Sequence, residues 1–268
     1  MNKAYLSIIL RKSHLMHFTD KLRYYYFKSK NWKKNREFIK KNSNSILPPD
    51  YYIYESFQLN YKEYFTKSKN SAEWVLNFYK KYKHDNPTTV LDWGCGPGRI
   101  IRHLPQMLNE DSKIYGTDYN KKSIDWCINN INGIQFNHNT LDALLPYEDN
   151  YFDFIFGISI FTHLSKEKHI EWTKELTRVL KKDGIMFFTT HGNAFKHKLT
   201  KRELNTFNKG ELVLRGDVKE GHRTYTAYHP KKYLEQLFVS NNNIVLDHIE
   251  QKSTNNKAQQ DIWILQKA

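Results

Sequence analysis

The stretch "VLDWGCGPGRI", residues 90–100, decides how the chain is read. An apolar run ends at Asp92 and Trp93, and glycines follow at alternate positions, Gly94, Gly96 and Gly98. A short buried strand bounded by such residues is expected to turn sharply into the next element. Glycines at that turn let the backbone approach a bound nucleotide-like molecule without Cβ clashes, beside the N–H groups of the following helix. Gly-rich turns also serve tight strand–helix packing, so the stretch needs its surroundings to be interpreted.

Outward from it, strand and helix patterns alternate. "SAEWVLNFYKKY" (71–82) has a helical stripe with Ser71 as the expected N-cap. "TTVLDW" (88–93), "KIYGTDY" (113–119), "IQFNHN" (134–139), "YFDFIFGIS" (151–159) and "IMFFTTH" (185–191) read as five strands. Between them, 94–108 reads as the turn into a helix, and 121–131 and 165–180 read as helices. "HPKKYLEQLF" (229–238) starts a last helix at Pro230, and "NIVLDHI" (243–249) and "DIWILQ" (261–266) read as closing strands. The expected fold is α/β: a doubly wound, mostly parallel seven-stranded sheet with an antiparallel last strand, plus a basic helical N-terminal arm. The expected divisions are the arm at 1–45, a linker and Tyr-rich cap segment at 46–70, and the sheet domain at 71–268 with an insertion at about 192–228.

In such a sheet a ligand sits outside the carboxyl ends of the strands, where their order reverses. The glycine turn alone leaves NAD, FAD and S-adenosylmethionine open. No "GK[ST]" follows, so it is not a P-loop, and the spacing is GxGxG with Arg99 next rather than the GxGxxG of dinucleotide sites. Asp118 closes the second strand, where it can accept hydrogen bonds from both hydroxyls of a ribose.

The second half narrows the choice. "LPYEDNYFDFIFGISIFTHLS" (145–165) followed by "WTKELTRVLKKDGIMFFTTHG" (172–192) resembles the class I S-adenosylmethionine-dependent methyltransferases, most of all the branch with "SVFTHL" and "TTHG" signatures associated with bacterial glycan and small-molecule modification. The resemblance covers about 70–268. It implies that Gly94, Cys95, Gly96, Gly98 and Arg99 surround the methionine part of the cofactor, with Asp92 reaching its amino group. Asp118 then binds the ribose and Tyr119 lies against the adenine. Asn139, Thr140 and Leu141 flank the adenine edge; many relatives place an acid at the position of Leu141, here the acid is Asp142, and the contact falls to Asn139 and backbone groups. Ser159, Ile160 and Phe161 line the methionine end.

Methyl transfer to a sulfonium-activated carbon asks the protein mainly for alignment and desolvation, with a general base only where the acceptor must lose a proton. The base candidates are His191, ranked first at the end of the fifth strand, then His163 in "FTHL", with His222 and His229 behind them. There is no "NPPY" tetrad of amino-methylating enzymes after the fourth strand. The insertion and residues 51–65 are expected to wall the acceptor, with Tyr61 and Tyr64 closing over the cofactor.

The 268 residues carry a formal net charge of +14. Residues 1–45 hold twelve Lys and Arg against Asp20 and Glu37, a net of +10, leaving +4 for the rest. That asymmetry suggests an anionic surface: membrane contact through residues 1–45 beside a small-molecule or glycan acceptor, or nucleic acid as the less favoured partner. The alternatives to a small-molecule or glycan methyltransferase are an RNA methyltransferase using the arm and a non-catalytic cofactor-binding module. No metal site is expected from Cys95 and Cys127, no apolar run spans a bilayer, and the expected location is cytoplasmic, peripheral at the inner membrane face.

Overall fold

The computed structural model describes residues 3–43, 45–253 and 258–268. Its centre is a seven-stranded sheet built from β1 (Thr89–Trp93), β2 (Lys113–Asp118), β3 (Gln135–His138), β4 (Phe152–Ile158), β5 (Leu180–Thr190), β8 (Asn243–Ile249) and β9 (Asp261–Lys267), in the order β3-β2-β1-β4-β5-β9-β8. The first five strands run parallel and β9 is antiparallel to both its neighbours, as expected of the Rossmann-like methyltransferase fold. Order reverses between β1 and β4.

Strand residues alternate between two cores. Leu91, Ile155, Met186 and Phe188 point to one face, under α6 (Lys166–Val179) and α8 (Lys231–Val239). Val90, Phe154, Phe156, Ile185 and Phe187 point to the other, under α4 (Tyr61–Tyr82) and α5 (Lys121–Asn130). Burial on both faces is why these strands read as continuous apolar runs rather than alternating ones.

Two local expectations are corrected. The segment after the glycine turn is a 3-10 helix, Ile101–Gln106, because Pro105 inside it lacks an N–H and its ring opposes the carbonyl four residues back. Ser71 is not an N-cap but sits within α4, its Oγ donating back to Lys67 O at 2.8 Å. The helix starts ten residues earlier, capped by Asn60, whose Oδ1 accepts from Glu63 N, since no Gly or Pro interrupts residues 61–70. The division expected at 70/71 therefore falls inside one helix.

The arm forms α1 (Lys3–Lys12) and α2 (Met16–Lys41), followed by α3 (Asp50–Phe57). Asn31 and Asn35 of α2 donate to the carbonyls of Gln58 and Leu59, both at 2.8 Å, and so hold two consecutive left-handed residues that join α3 to α4. Arg11 is buried, donating to Arg215 O at 2.8 Å and Gly216 O at 3.2 Å, at the two-stranded ribbon of β6 (Val213–Arg215) and β7 (Thr226–Tyr228). That ribbon, with α7 (Lys201–Asn208), belongs to the insertion, which has its own small core of Phe195, Leu199, Phe207, Val213 and Tyr228. Among the described residues no helix is long and apolar enough to cross a membrane.

Candidate active site

The carboxyl ends of β1 and β4 open into a cleft of about 530 Å³. The glycine turn forms one wall. Gly94 N and Cys95 N both donate to Thr117 O, at 2.8 and 2.9 Å, which locks the turn to the end of β2. All three glycines have positive φ, yet they face different things. A Cβ on Gly94 would strike Ile160, and one on Gly98 would strike Ile131, so these two are packing glycines. A Cβ on Gly96 would meet no protein atom within 4 Å. The space beside Gly96 belongs to the cleft.

Asp118, at the end of β2, is buried, with Oδ2 accepting from Gly96 N at 2.9 Å and Oδ1 from Asn120 N at 2.7 Å. Burial raises its pKa against the pull of those two N–H groups. Each oxygen keeps a further acceptor site toward the cleft. Beyond it, Thr117 Oγ1 donates to Asn139 Oδ1, Asn139 Nδ2 donates to Thr140 O at 2.6 Å, and Trp172 Nε1 donates to Leu141 O at 3.1 Å. Tyr119, Asn139, Thr140, Leu141 and Trp172 line this end of the cleft.

At the other end, Ser159 leaves β4 with φ 67°, a strained value for a residue other than glycine. A closed ring of hydrogen bonds holds it. Ser159 N donates to Thr189 Oγ1 (2.9 Å), Thr189 Oγ1 to Gln260 Oε1 (2.6 Å), and Gln260 Nε2 to Ser159 Oγ (2.6 Å). His163 follows in the 3-10 turn Phe161–His163. Its Nδ1 lies 2.8 Å from Tyr225 O, so that nitrogen carries the proton and Nε2 is left as an acceptor. Burial lowers the pKa of this ring.

The roof comes from distant segments. Tyr51, Tyr52, Glu55 and Phe57 of α3 and Gly221, His222 and Arg223 of the insertion close over the cleft. Gly221 N donates to His163 O at 2.9 Å. The Arg223 guanidinium is paired with Asp20 of α2 and donates to Tyr54 Oη at 2.8 Å. Its Nε lies 3.8 Å from Glu55, too far to offset the burial that pushes the Glu55 carboxyl up to about 7, with Asp118 adding to the rise.

Residues 90–184 match the family described as methyltransferase domain. A tRNA N(3)-methylcytidine methyltransferase of Schizosaccharomyces pombe is 25% identical over 213 residues, 76% of this chain and 67% of that protein. Two solved structures share the fold. An S-adenosylmethionine-dependent methyltransferase of Methanosarcina mazei superposes with a TM-score of 0.55 at 22% identity, over 71% of this chain and 96% of that one. The magnesium protoporphyrin IX methyltransferase of Synechocystis, solved with bound S-adenosylhomocysteine, gives 0.54 at 15% identity, over 93% of this chain and all of that one. Residues 90–184 carry a methyltransferase domain, and the whole sheet has the fold of class I S-adenosylmethionine-dependent methyltransferases.

The cleft fits S-adenosylmethionine, the methyl donor that the domain and fold imply: open space at Gly96, acceptor oxygens at Asp118, and the recess of Tyr119, Leu141 and Trp172 beyond. Of the residues expected at the cofactor, Gly94, Gly96, Arg99, Asp118 and Tyr119 line the cleft, as do Asn139, Thr140, Leu141, Ser159 and Ile160. Asp92 is buried at the end of β1, behind that lining. Its pKa is raised well above the ordinary value by burial, with the Arg99 charge pulling the other way. Asp142 is exposed and paired with Lys168 at 3.0 Å, away from the recess.

Four expected site residues lie elsewhere. Cys95 turns into the core beneath the turn, its Sγ 3.5 Å from Gly96 O, and Cys127 Sγ reaches the same oxygen at 3.5 Å. Gly98 is packed against α5 and its following residue Ile131. Phe161 is a core ring against Trp93 and Phe188, because the 3-10 turn points it back into the sheet. His191 leaves β5 on the far side, its ring 4.1 Å from that of Phe195 and its Nδ1 3.1 Å from Ala227 O. Burial there brings its pKa down to about 3.

Tyr61 and Tyr64 do not close the cleft either. Tyr61 donates to Asp50 at 2.5 Å, and Tyr64 lies under the Arg102 guanidinium at 4.5 Å. Tyr51, Tyr52, Glu55 and Phe57, one helix earlier, take that place. Gln260 was missed in sequence and Trp172 was read only as part of the α6 stripe, while Glu55 and Arg223 lie in the two segments expected to wall the acceptor, 51–65 and about 192–228, without having been singled out there. His229 is fully buried outside the cleft, and His222 lines it with Nδ1 2.8 Å from Thr224 Oγ1. Among the described residues no group of three or more His, Cys, Asp or Glu is placed to hold a metal ion.

Proposed function

We propose that the protein transfers the methyl group of S-adenosylmethionine to a small-molecule or glycan acceptor whose reacting atom lies before Ser159–His163. The observation that carries this reading is the roof: α3 and Gly221–Arg223 stand over the cleft beside the Ser159–His163 turn, walling the side from which an acceptor would reach the methyl group. In this reading Asp118 accepts from the ribose hydroxyls, and Tyr119, Asn139 and Leu141 bound the adenine. The backbone at Gly94 and Gly96 faces the methionine part, with Arg99 and Asp92 setting the charge there.

When bound, the cofactor supplies an electrophilic methyl carbon on a sulfonium centre. The protein aligns the acceptor and excludes water. Where the acceptor is a hydroxyl, His163 is the base: its ring is neutral at pH 7, its proton is fixed on Nδ1 by Tyr225 O, and Nε2 is free to take the acceptor's proton. His191, with its carbonyl and aromatic neighbours, has no route to that proton. A second reading, an RNA acceptor, is supported by the tRNA-methylating relative and by the basic arm.

The test is calorimetric titration with S-adenosylhomocysteine and NAD on the wild type and Asp118→Ala, followed by transfer of labelled methyl into fractionated cell extract. Binding of S-adenosylhomocysteine alone, lost in the variant, with label in the small-molecule or glycan fraction is the expected outcome. Label in RNA overturns the acceptor class. Cofactor binding with label in no fraction favours a non-catalytic module.

A further inference from the structure

Helix α2 packs Tyr24, Phe27 and Phe38 against α3 and α4, yet leaves a second set of apolar side chains in solvent. Its inward face carries buried Asp20, Asn31 and Asn35, each hydrogen-bonded to the body of the protein. Its outward face carries Phe18, Leu22, Tyr25, Trp32 and Ile39, between 49 and 64% exposed. Those five follow one another at steps of four, three, seven and seven residues, which at about 100° per residue keeps them on a single stripe. The helix has 26 residues, so the stripe runs for most of its roughly 39 Å. Tyr5, Leu6 and Ile9 of α1 are exposed as well.

Cations are interleaved with the stripe. Lys21, Lys33, Arg36 and Lys40 are all exposed, and the Arg36 guanidinium lies 5.5 Å from the Trp32 ring, while Lys28 is paired with Asp50 at 3.0 Å. Glu37 is the one exposed acid of α2. A folded protein rarely leaves such a stripe in water. Three surfaces could cover it, and the side chains choose between them. A second copy would bring the same positive face against itself. Single-stranded RNA would use the cations and the aromatic rings, but Leu6, Ile9, Leu22 and Ile39 neither stack on bases nor hydrogen-bond to them. An anionic bilayer uses every class present: aliphatic side chains enter the acyl boundary, Trp and Tyr sit at the headgroups, and Lys and Arg meet lipid phosphates.

We propose that the outward face of α1 and α2 docks flat on an anionic lipid bilayer. The proposal is independent of the acceptor's identity. It is tested by sedimenting the full chain with vesicles of phosphatidylcholine alone and of phosphatidylcholine mixed equally with phosphatidylglycerol. The wild type is expected to bind the mixed vesicles and not the neutral ones. The double variant Phe18→Ser/Trp32→Ser is expected to bind at least about tenfold more weakly, since each side chain removed takes its buried apolar area with it. Both residues are exposed and remote from the cleft, so S-adenosylhomocysteine binding serves as the check that the variant is folded and stays unchanged. Three outcomes overturn the proposal: no binding to mixed vesicles, vesicle binding unaffected by the double variant, or salt-sensitive binding to RNA or a dimer, with vesicles ignored, that the same variant abolishes.

Discussion

Gly96 and Gly98 share a motif and a positive φ, yet the structure gives them separable jobs, and alanine at each position tests that separation. A left-handed non-glycine residue costs about 1–2 kcal/mol, and Gly→Ala recovers about 0.4–1 kcal/mol by stiffening the unfolded chain. At Gly96 nothing else opposes a methyl group, since no protein atom lies within 4 Å of it, so Gly96→Ala should lose only about 1 kcal/mol of stability. At Gly98 the methyl group also meets the Ile131 side chain and sits 3.3 Å from Cys127 Sγ, and overpacking of a filled core adds about 1–3 kcal/mol. Gly98→Ala should therefore lose about 2–4 kcal/mol. Cofactor binding should order the two the other way. The Gly96 methyl occupies ligand space and should weaken S-adenosylhomocysteine at least about tenfold, or 1.4 kcal/mol, while folded Gly98→Ala binds within about threefold of wild type. Denaturant unfolding and calorimetric titration on the same preparations give both numbers. A Gly96→Ala protein with normal affinity would refute the assignment of that space to the cofactor.

Two further outcomes follow from the roof. Glu55 has a pKa of about 7 in the folded chain against 4.5 when free, so the folded state holds the extra proton between those values. Its favourable contribution is present below pH 4.5 and is lost as pH rises through 7, by up to about 3 kcal/mol at 1.36 kcal/mol per unit. Glu55→Gln should flatten that part of the stability–pH profile in the cofactor-free protein and stabilise it above pH 7; an unchanged slope would sink the argument. The Asp20–Arg223 pair should show in a double-mutant cycle with Asp20→Asn and Arg223→Met. Asp20→Asn alone should cost about 2–3 kcal/mol, somewhat under the range for a fully buried pair because Arg223 is 23% exposed, with a coupling of about 1–3 kcal/mol. Purely additive effects would show that the arm and the roof are not joined there.

The parts of this protein that were legible in its sequence are those specified locally. Continuous apolar runs give a parallel sheet because both faces are covered, and Asp92, Gly94–Gly98 and Asp118 announce the carboxyl ends of β1 and β2 through the residue types needed there. Pro105 was a readable sign against an α-helix after the turn, and Asn60 with Glu63 three residues on was a readable sign of the true start of α4. The roof was legible as two segments, 51–65 and the insertion, but not as the residues that meet in it. Glu55 and Arg223 are far apart in the chain and meet only through α3 and the insertion, with no spacing rule linking them. His191 and His163 show the same limit: one directly follows β5 and the other lies in the 3-10 turn after β4, and only the direction of the backbone beyond each strand puts His163 into the cleft and His191 against Phe195.

Composition marked the arm as basic and aromatic but said nothing of how it attaches, and the attachment changes what the arm can do. Arg11 reaches the ribbon of the insertion, Asn31 and Asn35 hold the link between α3 and α4, and Asp20 holds Arg223 above the cleft. Every element of the roof is therefore tied to α1 or α2 by a buried polar contact. Such contacts resist sliding because a partner left behind is a buried group without a hydrogen bond. One 26-residue helix thus carries both the exposed apolar stripe and, through Asp20, the contact that holds Arg223 over the cleft.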